Sequence, residues 1–362
     1  MNPPPAGFPH ARPVVWVALG YWIEPLFLGI ARYAAEQGWI LDASMAWRRG
    51  PIEPPKRRPD GIIVFTGDTP GLETAVRACG APVVDLENYR DRYGAPRIVG
   101  DDRDVGATAA RHLAANTPAK LVFVARPGAD DETTRQRAKG FREEAERMGL
   151  RTVMTTSDAA DPATLAAAGH CGVFCQGDGL ALAFLDRCLE AGVAVPDDLA
   201  ILGADDTGYI CTLAPVPLSS LNMDFENKGR LAAELLDRLM RGEREVPKTV
   251  VAPIRGVTVR ESTRAVRSGD GETDRFIRHL RDNSRRHVRV ETLCGEFGIP
   301  LRTAQHRLRA KLGLSPSDLL VRFRLENAEA LEKLGTMKLE AVAKAAGFGS
   351  AAALRRARKA RP

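Results

Sequence analysis

The chain has 362 residues, of which 44% are hydrophobic and 27% charged, with a formal net charge of +6. That length exceeds what a single hydrophobic core usually holds, so two or three domains are expected. No apolar run approaches the length of a membrane-spanning helix, and Met1–Arg12 is Pro-rich without the apolar stretch of a signal peptide. It reads as a disordered tail of a cytoplasmic protein. From Pro13 the chain alternates short β-branched runs with helical segments. Val14–Leu19 is a strand and Pro25–Gln37 a helix; Asp60–Phe65 is a strand, followed by a helix through Ala78. Pro82–Asp85 is a strand, Val105–Ala115 a helix, Lys120–Ala125 a strand and Thr134–Met148 a helix. Gly172–Cys175, the helix Gly179–Ala191 and the strand Leu199–Gly203 continue the series. Apolar strands alternating with helices imply parallel sheets covered on both faces, with ligands bound beyond the carboxyl ends of the strands.

The six cysteines are scattered, and Cys171 and Cys175, the only close pair, lie in an apolar strand with no zinc-spaced partner. They read as reduced core thiols. There is no G-x-G-x-x-G after the first strand, no phosphate-binding loop, no G-x-S-x-G and no H-E-x-x-H. No cofactor, no metal and no catalytic residue is expected, and the chain reads as a binding protein, not an enzyme.

The last quarter changes character. Val290, Leu293, Cys294 and Phe297 share one helical face, and Gly298 suits the left-handed turn that ends the helix. After Ile299–Pro300 a second helix runs Leu301–Leu312 to Gly313. Two short helices around a tight turn are a helix-turn-helix, with the second helix available for the major groove. Ser315-Pro316 opens an amphipathic connecting helix to about Leu334, on which Arg322 and Arg324 read as a solvated face. Leu339, Val342, Ala343 and Ala346, the turn Gly347–Gly349 and a helix from Ser350 to Arg361 repeat the grammar. Arg264 to the end holds 22 basic and 11 acidic residues, a net +11, which leaves +6 − 11 = −5 for Met1–Thr263. A cationic segment on an acidic body is the footprint of a nucleic-acid binder, because Lys and Arg displace condensed counterions from phosphates.

The pattern of Gly298-Ile299, Gly313–Pro316, Arg324–Ala328 and Ala343–Ser350 resembles the AraC-type DNA-binding domain. His306 and Arg358 depart from that family's pattern. The sequence also closes without the family's last helix, so a second unit that is weakly packed or dispensable is expected. Pro59–Val64, Ala81–Asp85, Asp101–Leu113, Arg137–Phe141, Gln176–Ala183, Val195–Asp206 and Leu218–Asp224 resemble, in order, the LacI/GalR and periplasmic sugar-binding-protein family. The two together, with Val251–Thr263 leading into the linker, are similar to the xylose operon regulator family.

The resemblance implies an α/β two-lobed effector domain at 13–263, a linker at 264–272 and an all-α tandem helix-turn-helix domain at 273–362. It implies effector contacts from Asp101, Arg137, Asp178 and Asp205, and a sugar effector, D-xylose. Carboxylates accept from adjacent sugar hydroxyls, and the Arg fork donates to their oxygens. An Asp after a strand also caps the next helix, so that role stays open. Tyr21 and Trp22 follow the first strand, where an aromatic covers an apolar sugar face or packs the lobe. Glu24 stands where the family carries Arg, which leaves another sugar or a sugar acid open as effector. DNA contacts fall to Arg302, Thr303, Gln305, His306 and Arg309, and in the second unit to Ser350, Arg355 and Arg356, with Ala351 and Ala352 offering only methyl contact. A second copy of the chain and RNA polymerase complete the implied partners; no membrane is among them. The alternative of a different class is a sugar-binding protein without productive DNA binding.

Overall fold

The computed structural model describes residues 12–46, 52–115, 120–264, 266, 268, 270–333 and 337–360. The tail, apart from Arg12, lies outside the described residues, as do linker positions 265, 267 and 269 and the C-terminal Arg361.

The first lobe is built from β1 (Val14–Leu19), α1 (Glu24–Gln37), β2 (Ile40–Asp42), β3 (Gly61–Phe65), α2 (Leu72–Cys79), β4 (Val83–Asp85) and β5 (Arg97–Gly100). The chain then crosses over. The second lobe takes α3 (Asp102–Ala114), β6 (Lys120–Ala125), α4 (Glu132–Arg147), β7 (Thr152–Thr156), α5 (Pro162–Ala167) and β8 (Cys171–Cys175). It continues with α6 (Asp178–Glu190), β9 (Leu199–Ala204), α7 (Gly208–Leu213) and β10 (Ser219–Asn222). A second crossover leads to α8 (Phe225–Met240) and β11 (Thr249–Ala252) on the first lobe, and a third returns the chain to β12 (Gly256–Thr258) on the second.

Two six-stranded sheets result, β11-β5-β4-β3-β1-β2 and β12-β10-β9-β8-β6-β7, parallel except where β12 meets β10. Both faces are covered. On β1, Val15, Val17 and Leu19 pack with α1 and α8, while Trp16 and Ala18 pack with α2, the period-two alternation of a strand. In the second lobe Phe123, Phe141 and Phe174 meet with ring centroids 5.5–6.1 Å apart. Cys171, Cys175, Cys188 and Cys211 are buried free thiols in the core on the other face.

Each lobe has one helix pair in close contact through glycine. A Cβ on Gly29 would lie 1.9 Å from the Glu226 carbonyl oxygen of α8, and one on Gly140 would lie 2.0 Å from that of Arg103 on α3. Backbone carbonyls cannot swing aside as a side chain can, so the helices themselves would have to part. Gly140→Ala is therefore expected to destabilise the effector domain by about 1–3 kcal/mol, the usual cost of overpacking, readable as a lower denaturant midpoint.

The C-terminal region forms α9 (Gly271–Asp282), α10 (Val290–Phe297), α11 (Leu301–Leu312), α12 (Pro316–Lys333), α13 (Leu339–Ala345) and α14 (Ala351–Lys359). α9 is a helix the sequence reading lacked. It opens inside the stretch read as linker, capped where the Asp270 carboxylate accepts from the Thr273 amide at 3.0 Å. Its Phe276, Ile277 and Leu280 join the core of the first helix-turn-helix. Gly298 and Gly313 take φ of 83° and 69° and close α10 and α11 where expected. The second unit is not loose. Leu325, Ala328, Val342, Ala343, Ala346, Phe348 and Leu354 make their own buried cluster, and α12 spans both cores. Arg324 is a further correction, because it is not on a solvated face. Half-buried, it donates to the carbonyls of Ser284 (3.0 Å), Arg286 (2.8 Å) and Val288 (2.8 Å), so it holds the segment between α9 and α10. Arg322 is exposed and paired with Glu326 on the same helix. No described helix is long and apolar enough to cross a membrane.

Candidate functional site

The carboxyl ends of the strands of both lobes converge where the chain crosses between them. From the first lobe, β4 delivers Asn88 and Tyr89. Both donate to the same oxygen of Asp102, at 2.8 and 2.9 Å. The other Asp102 oxygen accepts from Arg137 Nε on α4 at 2.9 Å, and Arg137 Nη1 donates to the Gln176 carbonyl at the end of β8, at 2.6 Å. Arg137 is 8% exposed and Asp102 1%. A charge this deeply buried persists only when paired and hydrogen-bonded, and both are.

Asp205 ends β9 on the same side. Its backbone amide donates to the Leu221 carbonyl at 3.0 Å. Burial pushes its carboxyl up to about 7, while the Arg137 guanidinium works in the opposite direction and the Asp178 and Asp102 carboxylates add to the rise. Its φ is 102°, a sparsely populated backbone for a non-glycine residue, and such strain persists only where the surroundings impose it. Arg137 and Asp205 thus lie within electrostatic reach of each other at the carboxyl end of the second sheet. Beneath them in the first lobe, burial lowers Lys228 to about 8, while its ammonium donates to the Leu86 carbonyl at 3.1 Å.

Three of the four expected effector residues make structural bonds within the chain: Arg137 as above, and Asp101 and Asp178. Asp101 is exposed and caps α3, accepting from the Asp104 amide at 2.9 Å. Asp178 is buried, with its oxygens taken by Ser220 Oγ at 2.6 Å and the Thr207 amide at 2.7 Å, which ties α6 to the loop after β9. Tyr21 is 69% exposed, and Trp22, 37% exposed, rests on Phe27 with centroids 4.8 Å apart. Glu24 is exposed at the start of α1. Asp102, Asn88 and Gln176 were missed. Asp102 adjoins the expected Asp101, and only its burial against Arg137 separates the two.

On the C-terminal domain, Arg302, His306 and Arg309 of α11 are exposed, and Thr303 and Gln305 are half-buried. On α14, Arg355 and Arg356 are exposed, whereas Ser350 serves as the helix cap, accepting from the Ala353 amide at 3.2 Å. Ala351 is half-buried and Ala352 exposed. Arg358 is paired with Glu332 of α12. No cluster of metal-ligating side chains occurs among the described residues.

The family described as a periplasmic binding protein-like domain matches residues 110–263, and that described as a helix-turn-helix domain matches residues 293–361. The xylose operon regulatory protein of Escherichia coli strain K12 is 24% identical over 180 residues, 49% of this chain and 46% of that protein. The chain thus spans about half the length of the curated xylose regulatory proteins it matches. The structure of a xylose-binding transcription activator superposes with a TM-score of 0.73 at 20% identity, over 96% of this chain and 95% of the other. A periplasmic binding protein/LacI transcriptional regulator from Alkaliphilus metalliredigens, complexed with D-xylulofuranose, superposes with a TM-score of 0.53 at 19% identity, over 69% of this chain and 99% of the other. Fold and motifs define a periplasmic binding protein-like domain followed by an AraC-type helix-turn-helix domain. Over nearly its whole length the chain shares the fold of that xylose-binding transcription activator structure.

Proposed function

We propose that the chain is a sugar-responsive, DNA-binding transcriptional regulator, most economically a D-xylose sensor acting in the cytoplasm as a dimer. The observation that carries this reading is the buried network of Asn88 and Tyr89 from the first lobe with Asp102 and Arg137 from the second, with Asp205 within electrostatic reach of Arg137, on the same chain as two packed helix-turn-helix units. A hydroxyl-rich ligand supplies donors to Asp205 and acceptors to Arg137, and it shifts the lobes only by its differential affinity for their two arrangements. On the C-terminal side, α12 has 18 residues, a helix of about 27 Å, comparable with the ~34 Å between successive major grooves on one face of DNA. Arg302, Gln305 and His306 are the proposed base readers of α11, with Thr303 and Arg309 beside them. Arg355 and Arg356 grip phosphates.

Isothermal titration calorimetry against D-xylose, with L-arabinose, D-glucose and D-galacturonate alongside, is the test. Selective heat for xylose supports the sensor; no heat for any sugar retires the effector site. The exposed Glu24 carboxylate, where the family carries Arg, favours a second reading in which another neutral sugar is the effector, and a signal for arabinose or glucose alone would establish it. Asp205 adds a pH signature. Its folded carboxyl holds a proton up to about 7, whereas the unfolded chain releases it near the ordinary value. Stability from this group therefore falls as pH rises between those values and is flat above them. Asp205→Asn is expected to stabilise the folded chain at pH 8 by on the order of 2 kcal/mol, readable as a higher melting temperature, while weakening sugar binding at least about tenfold. A variant that loses stability at pH 8, or binds sugar as before, contradicts the assignment.

A further inference from the structure

Asp205 is followed by a second residue of positive φ, Asp206 at 53°. Something must hold this two-residue turn against its preference, and the bonds that do so belong to Asp206. Its amide donates to Ser220 Oγ at 3.0 Å. One carboxylate oxygen accepts from Thr258 Oγ1 at 2.6 Å and Asn222 Nδ2 at 2.9 Å, and the other from Arg260 Nη2 at 2.8 Å. The Asp205 carboxylate has no hydrogen bond among the described residues. Asp206 pins the turn, and Asp205 is presented as a consequence.

Arg260 begins the path to the C-terminal domain. Its other guanidinium arm donates to the Leu218 carbonyl at 2.9 Å, and its amide donates to Ser219 Oγ at 2.8 Å. The residues that follow are sewn to the same lobe. Ser262 Oγ donates to the Ile201 carbonyl at 2.6 Å, and Thr263 Oγ1 is 2.8 Å from Ser219 Oγ. One residue later the Arg264 carbonyl accepts from Arg281 of α9 at 3.2 Å. Arg281 and Arg278 in turn pair with Asp197 at 2.6 and 3.3 Å, and Arg278 with Asp198 at 2.8 Å, on the loop before β9. Beside these contacts a cavity of about 340 Å³ separates the lobe from α9 and α12, with Arg260, Arg281 and Phe323 in its wall. The apolar core of the C-terminal domain is not continuous with that of the lobe. Ion pairs and the connecting chain therefore seat α9, and such a seat can shift without breaking a hydrophobic core.

We propose that Asp206 is a positioning residue that links the effector cleft to the seat of the DNA-binding domain through Arg260. When a ligand draws on Asp205, the strained turn relaxes only if the Asp206 carboxylate moves, and Arg260 carries that movement into the segment that anchors α9. This inference rests on the reading of Asp205 as an effector contact, but it is testable without an effector.

The test uses the full chain with Asp206→Asn, Arg260→Met and both together. Amide hydrogen exchange of residues 271–282 is measured without ligand. D-xylose affinity, and affinity for a short duplex selected from a random pool by the unmodified protein, with and without xylose, are measured alongside. In each single variant α9 is expected to exchange at least about threefold faster, with α1 unchanged and the double variant little faster than the singles, as for two residues acting as one unit. The effect of xylose on DNA affinity is expected to fall at least about threefold while xylose affinity changes less than that. Unchanged exchange in α9 overturns the proposal, as does equal acceleration throughout the second lobe, the mark of a merely structural residue. Faster α9 exchange in a protein whose parent binds no sugar upholds the link and retires the effector role of Asp205 alone. Should Asp206→Asn fail to fold, Arg260→Met carries the same test.

Discussion

Arg137→Ala is expected to lower the stability of the effector domain by about 2–4 kcal/mol and to abolish sugar binding. The variant removes the cation from a site where Asp102 is 1% exposed, leaving that carboxylate buried without its counter-charge. Breaking a buried pair from one side commonly costs about 3–5 kcal/mol. Asn88 and Tyr89 still donate to Asp102, which places the loss toward the lower end. The Gln176 carbonyl loses its donor too, so the end of β8 loosens at the same time. Arg137→Lys keeps the charge but not the fork that reaches Asp102 and Gln176 together, so it should recover part of the stability and little of the binding. Denaturant unfolding monitored in the second lobe, with calorimetric titration of sugar, checks both halves. A stable Arg137→Ala protein that binds sugar normally would remove this residue from the site.

Gly347→Val is expected to act on the other domain. Gly347 has φ of 90°, and a Cβ there would lie 2.1 Å from the Ser284 carbonyl oxygen at the end of α9. The left-handed backbone alone costs a β-branched residue about 1–3 kcal/mol, and the clash is with backbone, which cannot rotate away. Together these should exceed about 3 kcal/mol, enough to release α13 and α14 from α12 given the small cluster that holds them. DNA affinity should fall by at least about tenfold while sugar affinity is retained. Differential scanning calorimetry is expected to show the C-terminal transition moving down alone. If the second unit contributed nothing to DNA binding, its stability would fall with no change in DNA affinity.

The two outcomes concern domains that were unequally legible in the sequence. The helix-turn-helix was written locally. Pro300 and Gly313 bound α11 at its observed ends, and Ser350 caps α14, because turn and cap preferences act within four residues. β1 was equally plain as an unbroken apolar run buried on both faces. By contrast, β7, a half-exposed edge strand of sequence TVMTT, and the three-residue β2 and β12 have too little pattern to declare themselves, and only their pairing partners make them strands. α9 was hidden by the polar stretch that precedes it.

For the proposed site, the family resemblance singled out Arg137 and Asp205, but Arg137 lies inside α4 and only Asp205 sits in a loop after a strand. The sequence did not determine which carboxylate Arg137 takes. Asp101 and Asp102 are neighbours in sequence, but one faces solvent as a cap and the other faces a guanidinium 35 residues away. Nor did it give the Asp206–Arg260 pair, 54 residues apart, or the burial of Arg324 against a loop 36–40 residues upstream. Backbone propensity and amphipathic period are properties of adjacent residues, so they could be read along the chain. Charge pairing and desolvation depend on what the fold brings within hydrogen-bonding distance, and only the tertiary structure decided them.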